Sequence, residues 1–105
     1  MKLRIEPKKT TLRLSKAEFQ SFLDTGELSQ ITHFPGGGNI SISAQLDHDP
    51  SFMVKDNRFQ IKLPNHLLRE YKPSKSGISF EFQLDNGESH ELVFEVDIKK
   101  KPLNK

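Results

Sequence analysis

The 105-residue chain has no cysteine, no tryptophan and a single tyrosine. Without cysteine there can be no disulfide, no thiolate metal ligand and no cysteine nucleophile, a composition suited to a reducing compartment. No stretch approaches the run of about 18 apolar residues that a membrane-spanning helix needs. The opening residues MKLRIEPKK alternate where a signal peptide would be continuously apolar. A soluble, cytoplasmic protein with no membrane contact is therefore expected. Positive charge is also missing in blocks. Residues 17–54 contain no Lys or Arg and five acids, and residues 76–98 contain none and six acids. By contrast, residues 2–16 hold six cations and one acid, and residues 55–75 hold six cations and two acids.

The net charge of +2 comes from the end of the chain. Lys99, Lys100, Lys101 and Lys105 follow every acid, so residues 1–98 set 12 cations against 14 acids and carry −2. A body of that sign argues against a dedicated nucleic-acid binder, leaving only a weak association through the basic hairpins and the tail. RNA-binding sheets display aromatics among their basic residues, whereas the eight Phe here mostly occupy alternating apolar faces. The length suits one domain, residues 1–98, followed by a lysine-rich flexible tail at 99–105.

Apolar periodicity gives the element order. Leu3 and Ile5 alternate with charged residues, as do Leu12 and Leu14, so two short strands forming a hairpin are predicted before a helix from Lys16 to about Thr25. The start of that helix is fully specified. Ser15 is the N-cap, Glu18 the capping-box partner, Leu14 and Phe19 a hydrophobic staple, and Gly26 the left-handed stop. A strand over Leu28 to Phe34, the turn PGGGN and a strand over Ile40 to Leu46 complete the first half. Phe52 and Val54, then Phe59, Ile61 and Leu63, mark two more strands, and Pro64 is placed at the first position of a second, short helix through Leu67, Leu68 and Tyr71. Ile78 to Leu84 and Leu92 to Ile98 alternate on either side of Asn86 and Gly87, which read as a tight type I′ hairpin turn.

The halves resemble each other. A shift of 49 residues lays Leu3 on Phe52, Leu12 on Ile61, Leu14 on Leu63, Ser15 on Pro64 and Phe22 on Tyr71. After the helix the shift grows to 52, with Ile40 on Leu92. This suggests two strand-strand-helix-strand-strand units, 1–49 and 50–98, though any two such units would align at some offset. The expected fold is α+β: a mainly antiparallel, curled or barrel-like sheet of about six to eight strands with one capped and one short helix. On the polar strand faces Arg4, Arg13, Arg58 and Lys62 oppose Glu81, Glu91, Glu95 and Asp97. Cross-strand ion pairing would explain them, as would a basic edge that receives an acidic protein partner or a second copy of the chain.

Patterns that carry catalysis are sparse. The PGGGN turn lies between strands, in a stretch without cations, where a phosphate loop needs a helix start or a following Lys. Asp47, His48 and Asp49 are adjacent, so their side chains diverge and make a poor metal site. No serine sits in a G-x-S-x-G context. His33, beside the glycine turn, is the histidine best placed for a ligand or catalytic pocket. His66 and His90 have no evident partners. No catalytic residue, metal or cofactor is assigned. The leading expectation is a non-enzymatic binding or protein-interaction module using Arg4, Arg13, Arg58 and Lys62, with a pocket at His33 as the alternative.

The MKLRI start, the LRLS-x-x-E run from Leu12 to Glu18, Thr25 with Gly26, the THF at Thr32 to Phe34 and the NRFQIKLP segment together resemble a family of small uncharacterised bacterial proteins. The resemblance implies a bacterial, cytoplasmic, stand-alone domain and transfers no functional residue. The acidic strand from Leu92 to Ile98 and the lysine-rich tail depart from it.

Overall fold

A computed structural model describes residues 1–73 and 77–98 of the chain. In chain order the elements are β1 (Lys2–Ile5), β2 (Lys9–Leu14), α1 (Lys16–Thr25), β3 (Glu27–His33) and β4 (Asn39–Asp47), then β5 (Ser51–Lys55), β6 (Arg58–Pro64), α2 (Asn65–Glu70), β7 (Ile78–Gln83) and β8 (Ser89–Val96). The expected lysine-rich tail lies outside the described residues.

The strands build two separate four-stranded sheets, ordered β1-β2-β8-β7 and β3-β4-β6-β5. The expected single curled or barrel-like sheet is thereby corrected, as is its mainly antiparallel character. Each sheet has antiparallel outer pairs and a parallel central pair, β2 with β8 or β4 with β6. The physical reason is that each helix follows the inner strand of a hairpin and carries the chain to the other sheet. Each hairpin then finds its neighbour in the opposite half of the chain. Alternation in sequence reports which face of a strand is buried, not which strand lies beside it.

The four central strands supply most of the core. Leu12 and Leu14, Ala44, Ile61 and Leu63, and Leu92, Phe94 and Val96 are buried together with Phe19 and Phe22 of α1 and Leu68 of α2. Both helices begin at the C-terminal ends of their strands, so they close the same end of the molecule. There the rings of Phe19, Tyr71 and Phe94 stand 5.8–5.9 Å apart in tilted or edge-to-face contact. At the opposite end, where β2, β6 and β8 begin, no helix covers the space between the sheets.

Local geometry matches the sequence at α1. The Ser15 hydroxyl accepts the Glu18 N–H at 3.1 Å, and the Glu18 carboxylate accepts the Ser15 N–H at 2.9 Å. Gly26 takes φ 84° and donates its N–H to the Phe22 carbonyl. Pro64 differs from its expected place. It is the last residue of β6 and the N-cap of α2, held extended at ψ 121° as the parallel partner of Asp47. The turn at Asn86 and Gly87 forms where expected but is not of type I′. Asp56 and Asn57 have φ 52° and 64° and form a turn of that type between β5 and β6, whereas after β7 only Gly87 is left-handed. Asn86 is held out of that conformation while its side-chain oxygen accepts the Glu88 N–H at 2.9 Å.

Several bonds recur between the halves. The Gly37 N–H reaches the Phe34 carbonyl as the Gly87 N–H reaches that of Leu84, and the Phe34 N–H reaches Gly38 as the Leu84 N–H reaches Glu88. These pairs lie 50 residues apart. The parallel registers Leu14 with Val96 and Leu63 with Leu46 also set the second hairpins 50 apart, where a shift of 52 was expected.

Burial pushes the Glu18 carboxyl up, but the hydrogen bond from the Met1 ammonium and those at Ser15 outweigh it and hold the group below its ordinary value of 4.5. A depressed folded pKa gives stability that is full above the unfolded value and lost as pH falls through the folded one. Glu18→Gln should therefore flatten the acid limb of a stability–pH profile below about pH 4.5 while leaving its neutral shape unchanged. Two glycines should separate under chemical denaturation. Gly26→Ala meets open space and should cost about 1 kcal/mol through its positive φ. At Gly77 a Cβ would overlap the Phe94 carbonyl, so Gly77→Ala should cost more than about 2 kcal/mol.

Candidate apolar cleft between the sheets

The open end holds a cleft of about 400 Å³ lined by Ile5, Thr10, Phe52, Val54, Phe59, Phe82, Leu84 and His90. Every one of these residues except Leu84, which follows β7, lies on a strand and belongs to its inward-facing set. Thr10 precedes Leu12 and Leu14 on β2, and His90 precedes Leu92, Phe94 and Val96 on β8. The apolar rows are thus broken by one polar residue each, and the parallel register brings the two breaks together. Thr10 is only 2% exposed, and its hydroxyl lies 2.8 Å from His90 Nε2. Depending on the tautomer, either the hydroxyl or the ring N–H donates.

Aromatic rings flank this pair. The Phe52 ring centre is 5.9 Å from that of His90 and 6.4 Å from that of Phe82. At the mouth Ile5 is 60% exposed, Val54 55% and Leu84 43%. Charged residues are absent from the lining, because Lys9 and Glu91, the neighbours of Thr10 and His90, point to the other side of the sheet. Among the described residues His90 Nδ1 has no hydrogen-bond partner. The site can therefore solvate one polar atom within otherwise apolar walls. It holds no carboxylate to orient the imidazole, which a threonine nucleophile activated by histidine would use.

The residues expected from sequence fall elsewhere. Arg4 and Arg13 share a groove of about 450 Å³ on the outer face of the first sheet, with Lys2, Lys9, Glu6 and Glu95 on its walls. Arg13 Nε is 3.3 Å from Glu95 Oε1, yet it is buried and without a hydrogen bond, so the contact is an ion pair out of line for one. Arg4 reaches Glu6 at 3.8 Å. Arg58 and Lys62 stand on the outer face of the second sheet, where Lys62 Nζ is 3.6 Å from Asp47 Oδ2. The four cations are thus divided two and two between sheets that face away from each other. His33 is exposed at the end of β3, paired in register with Asn39, and the cleft beside the Thr10–His90 pair is formed by other residues.

A second cleft of about 360 Å³ lies at the helical end among Gly26, Leu46, Asp47, His48, Asn65, His66 and Arg69. Its arginine has a structural task. Arg69 Nε donates to Asn65 Oδ1 at 2.7 Å and Nη2 donates to the Leu23 carbonyl at 3.2 Å, which ties α2 to the last turn of α1. The backbone N–H of His48, with help from Lys62, holds the Asp47 carboxyl below its ordinary value. Among the described residues no three His, Asp or Glu side chains converge on a metal site.

Sequence reasoning missed Thr10 and His90. The available signal was the polar interruption of two inward rows, but its meaning depends on the two strands being neighbours. Removing the hydroxyl by Thr10→Val should strand the half-buried His90 Nε2 and cost about 1 kcal/mol. Denaturation of Thr10→Val, His90→Phe and the double variant checks this, with a double-variant loss smaller than the sum of the singles expected.

No curated protein and no solved structure matches this chain. Among the described residues no helix is long and apolar enough to cross a membrane. The profile of DUF7009, a family of unknown function, matches residues 1–100, and the chain belongs to that family.

Proposed function

We propose that the chain is a non-enzymatic binding module that takes an apolar group, carrying one hydrogen-bonding atom, into the cleft between its sheets. The observation that carries this reading is the Thr10–His90 pair set in an aromatic-walled cleft with an apolar mouth. An inter-sheet volume near 400 Å³ lies within the common range for small-molecule sites, roughly 300–1,000 Å³. Apolar walls supply affinity in proportion to the area they remove from water, and the His90 imidazole beside Thr10 supplies orientation. The lack of cysteine supports a place in a reducing cytoplasm.

The two halves of the chain are read as duplicated units, so the cleft lies where the units meet, with Ile5 and Thr10 of one and the corresponding Val54 and Phe59 of the other in its lining. The repeated turn bonds and the matching strand orders support this. In that correspondence Thr10 falls on Phe59 and His90 on Ile40, so the polar pair occurs on one side only.

Titration with straight-chain alcohols and carboxylates of increasing length, followed by amide chemical shifts, tests the proposal. Binding should tighten with chain length, with the largest shifts at Thr10, Phe52, Phe82 and His90. Val54→Asp, at an exposed mouth position, should weaken it about tenfold or more without loss of stability. Shifts scattered over the surface, or no dependence on chain length, would exclude the cleft as the site.

A further inference from the structure

The outer face of the first sheet is divided by charge along its middle. On β1 and β2 it presents Lys2, Arg4, Lys9 and Arg13, and on β8 and β7 it presents Glu91, Glu95 and Glu81. The boundary runs between the two parallel strands, where Lys9 is in register with Glu91 and Arg13 with Glu95. Between these rows lie Thr11 and Val93, both half-buried and uncharged. Only part of this charge is neutralised within the chain. Arg13 pairs with Glu95, Arg4 with Glu6 on the same face, and Ser79 donates to Glu91 at 2.5 Å, but among the described residues Lys2, Lys9 and Glu81 have no ion-pair partner. Glu81 also sits directly opposite Glu91 in the antiparallel register, a like-charge juxtaposition that costs stability in an isolated sheet.

We infer that this face binds a second copy of the chain, face to face, about a twofold axis lying in the interface and parallel to β2 and β8. The charge pattern selects that axis. Rotation about it sets β1 over the partner copy's β7 and β2 over its β8, with rows preserved, so that the cations of β2 cover the acids of β8. Lys9 then faces Glu91 of the second copy, Arg13 faces Glu95, and the Thr11–Val93 rows meet at the centre. A twofold axis perpendicular to the strands would instead stack cations on cations. The contact is isologous and closes at two copies. It sets Lys9 of the second copy over Glu91, one member of the Glu81–Glu91 pair, while Glu81 meets the row of Glu6, whose carboxylate is already paired with Arg4.

The face is small. Strands of about 20 Å, four abreast at about 4.8 Å, put the interface at the low end of specific contacts, so the dimer is weak and its partner choice is electrostatic. Its strength should fall about tenfold or more between about 20 mM and 500 mM salt, as exposed charge pairs are screened.

Sedimentation equilibrium of the full chain over a concentration series at low and high salt tests the inference. A monomer–dimer equilibrium is expected at low salt and should weaken at high salt. Lys9→Glu and Glu91→Lys, each checked for folding by circular dichroism, should abolish it singly, and the double reversal should restore it. A chain that stays monomeric at low salt overturns the inference, as does a dimer indifferent to salt or to the single reversals. Oligomers that keep growing with concentration would also overturn it. Because Lys9 and Glu91 face away from the cleft, ligand binding by the single variants distinguishes failure here from failure of the proposed cleft.

Discussion

The parallel pairing of β2 with β8, and of β4 with β6, is the constraint on which the molecule depends. Each pair joins strands from opposite halves of the chain, with paired residues 82 positions apart in the first case and 17 in the second. Neither half has a complete sheet without the other. The hairpins β1–β2 and β7–β8 are local and antiparallel, but a two-stranded hairpin is marginal on its own, and here each is completed by another hairpin. The buried residues Leu12, Leu14, Leu92, Phe94 and Val96 form one continuous row pair because the register aligns them.

That pairing also makes the two ends of the molecule different. Since β2 and β6 both finish where a helix starts, Phe19, Phe22, Leu68 and Tyr71 seal one end with side chains carried by or following the helices. The beginnings of the same strands have only hairpin turns above them. Thr10 and His90 lie there, and the first sheet holds them within hydrogen-bond distance although they are 80 residues apart. On the other side of the same two strands, the same register sets Lys9 beside Glu91 and Arg13 beside Glu95. One ladder thus organises an apolar cleft inside and a divided charged face outside, because successive residues of a strand point to opposite faces.

Much of the local structure was legible in the residues. The Ser15–Glu18 capping box, the Gly26 stop and the inward rows of the central strands each follow from short-range chemistry, and their bounds differ from expectation by a residue or two. Asn86 and Gly87 do turn the chain between β7 and β8, but the Asn86 side chain bonds Glu88 and only Gly87 is left-handed, so the paired positive φ angles of a type I′ turn occur at the other hairpin turn, Asp56 and Asn57. Arg4, Arg13, Arg58 and Lys62 face outward, as the alternation of their strands requires, and Arg13 meets one of the acids expected of it. Their division between two sheets was not legible, since a count of charges along a chain carries no information about which strands adjoin.

The sequence by itself determined the elements, their order, the buried face of each strand and the absence of any chemistry that needs a thiol. These depend on side-chain periodicity and on bonds spanning a few residues. Tertiary structure alone decided that the eight strands form two mixed sheets, that Thr10 and His90 meet, and that positive and negative halves share one face. A strand's pattern specifies what it must bury but leaves its neighbour open. That choice is made by the crossing helices and by the collective packing of the core.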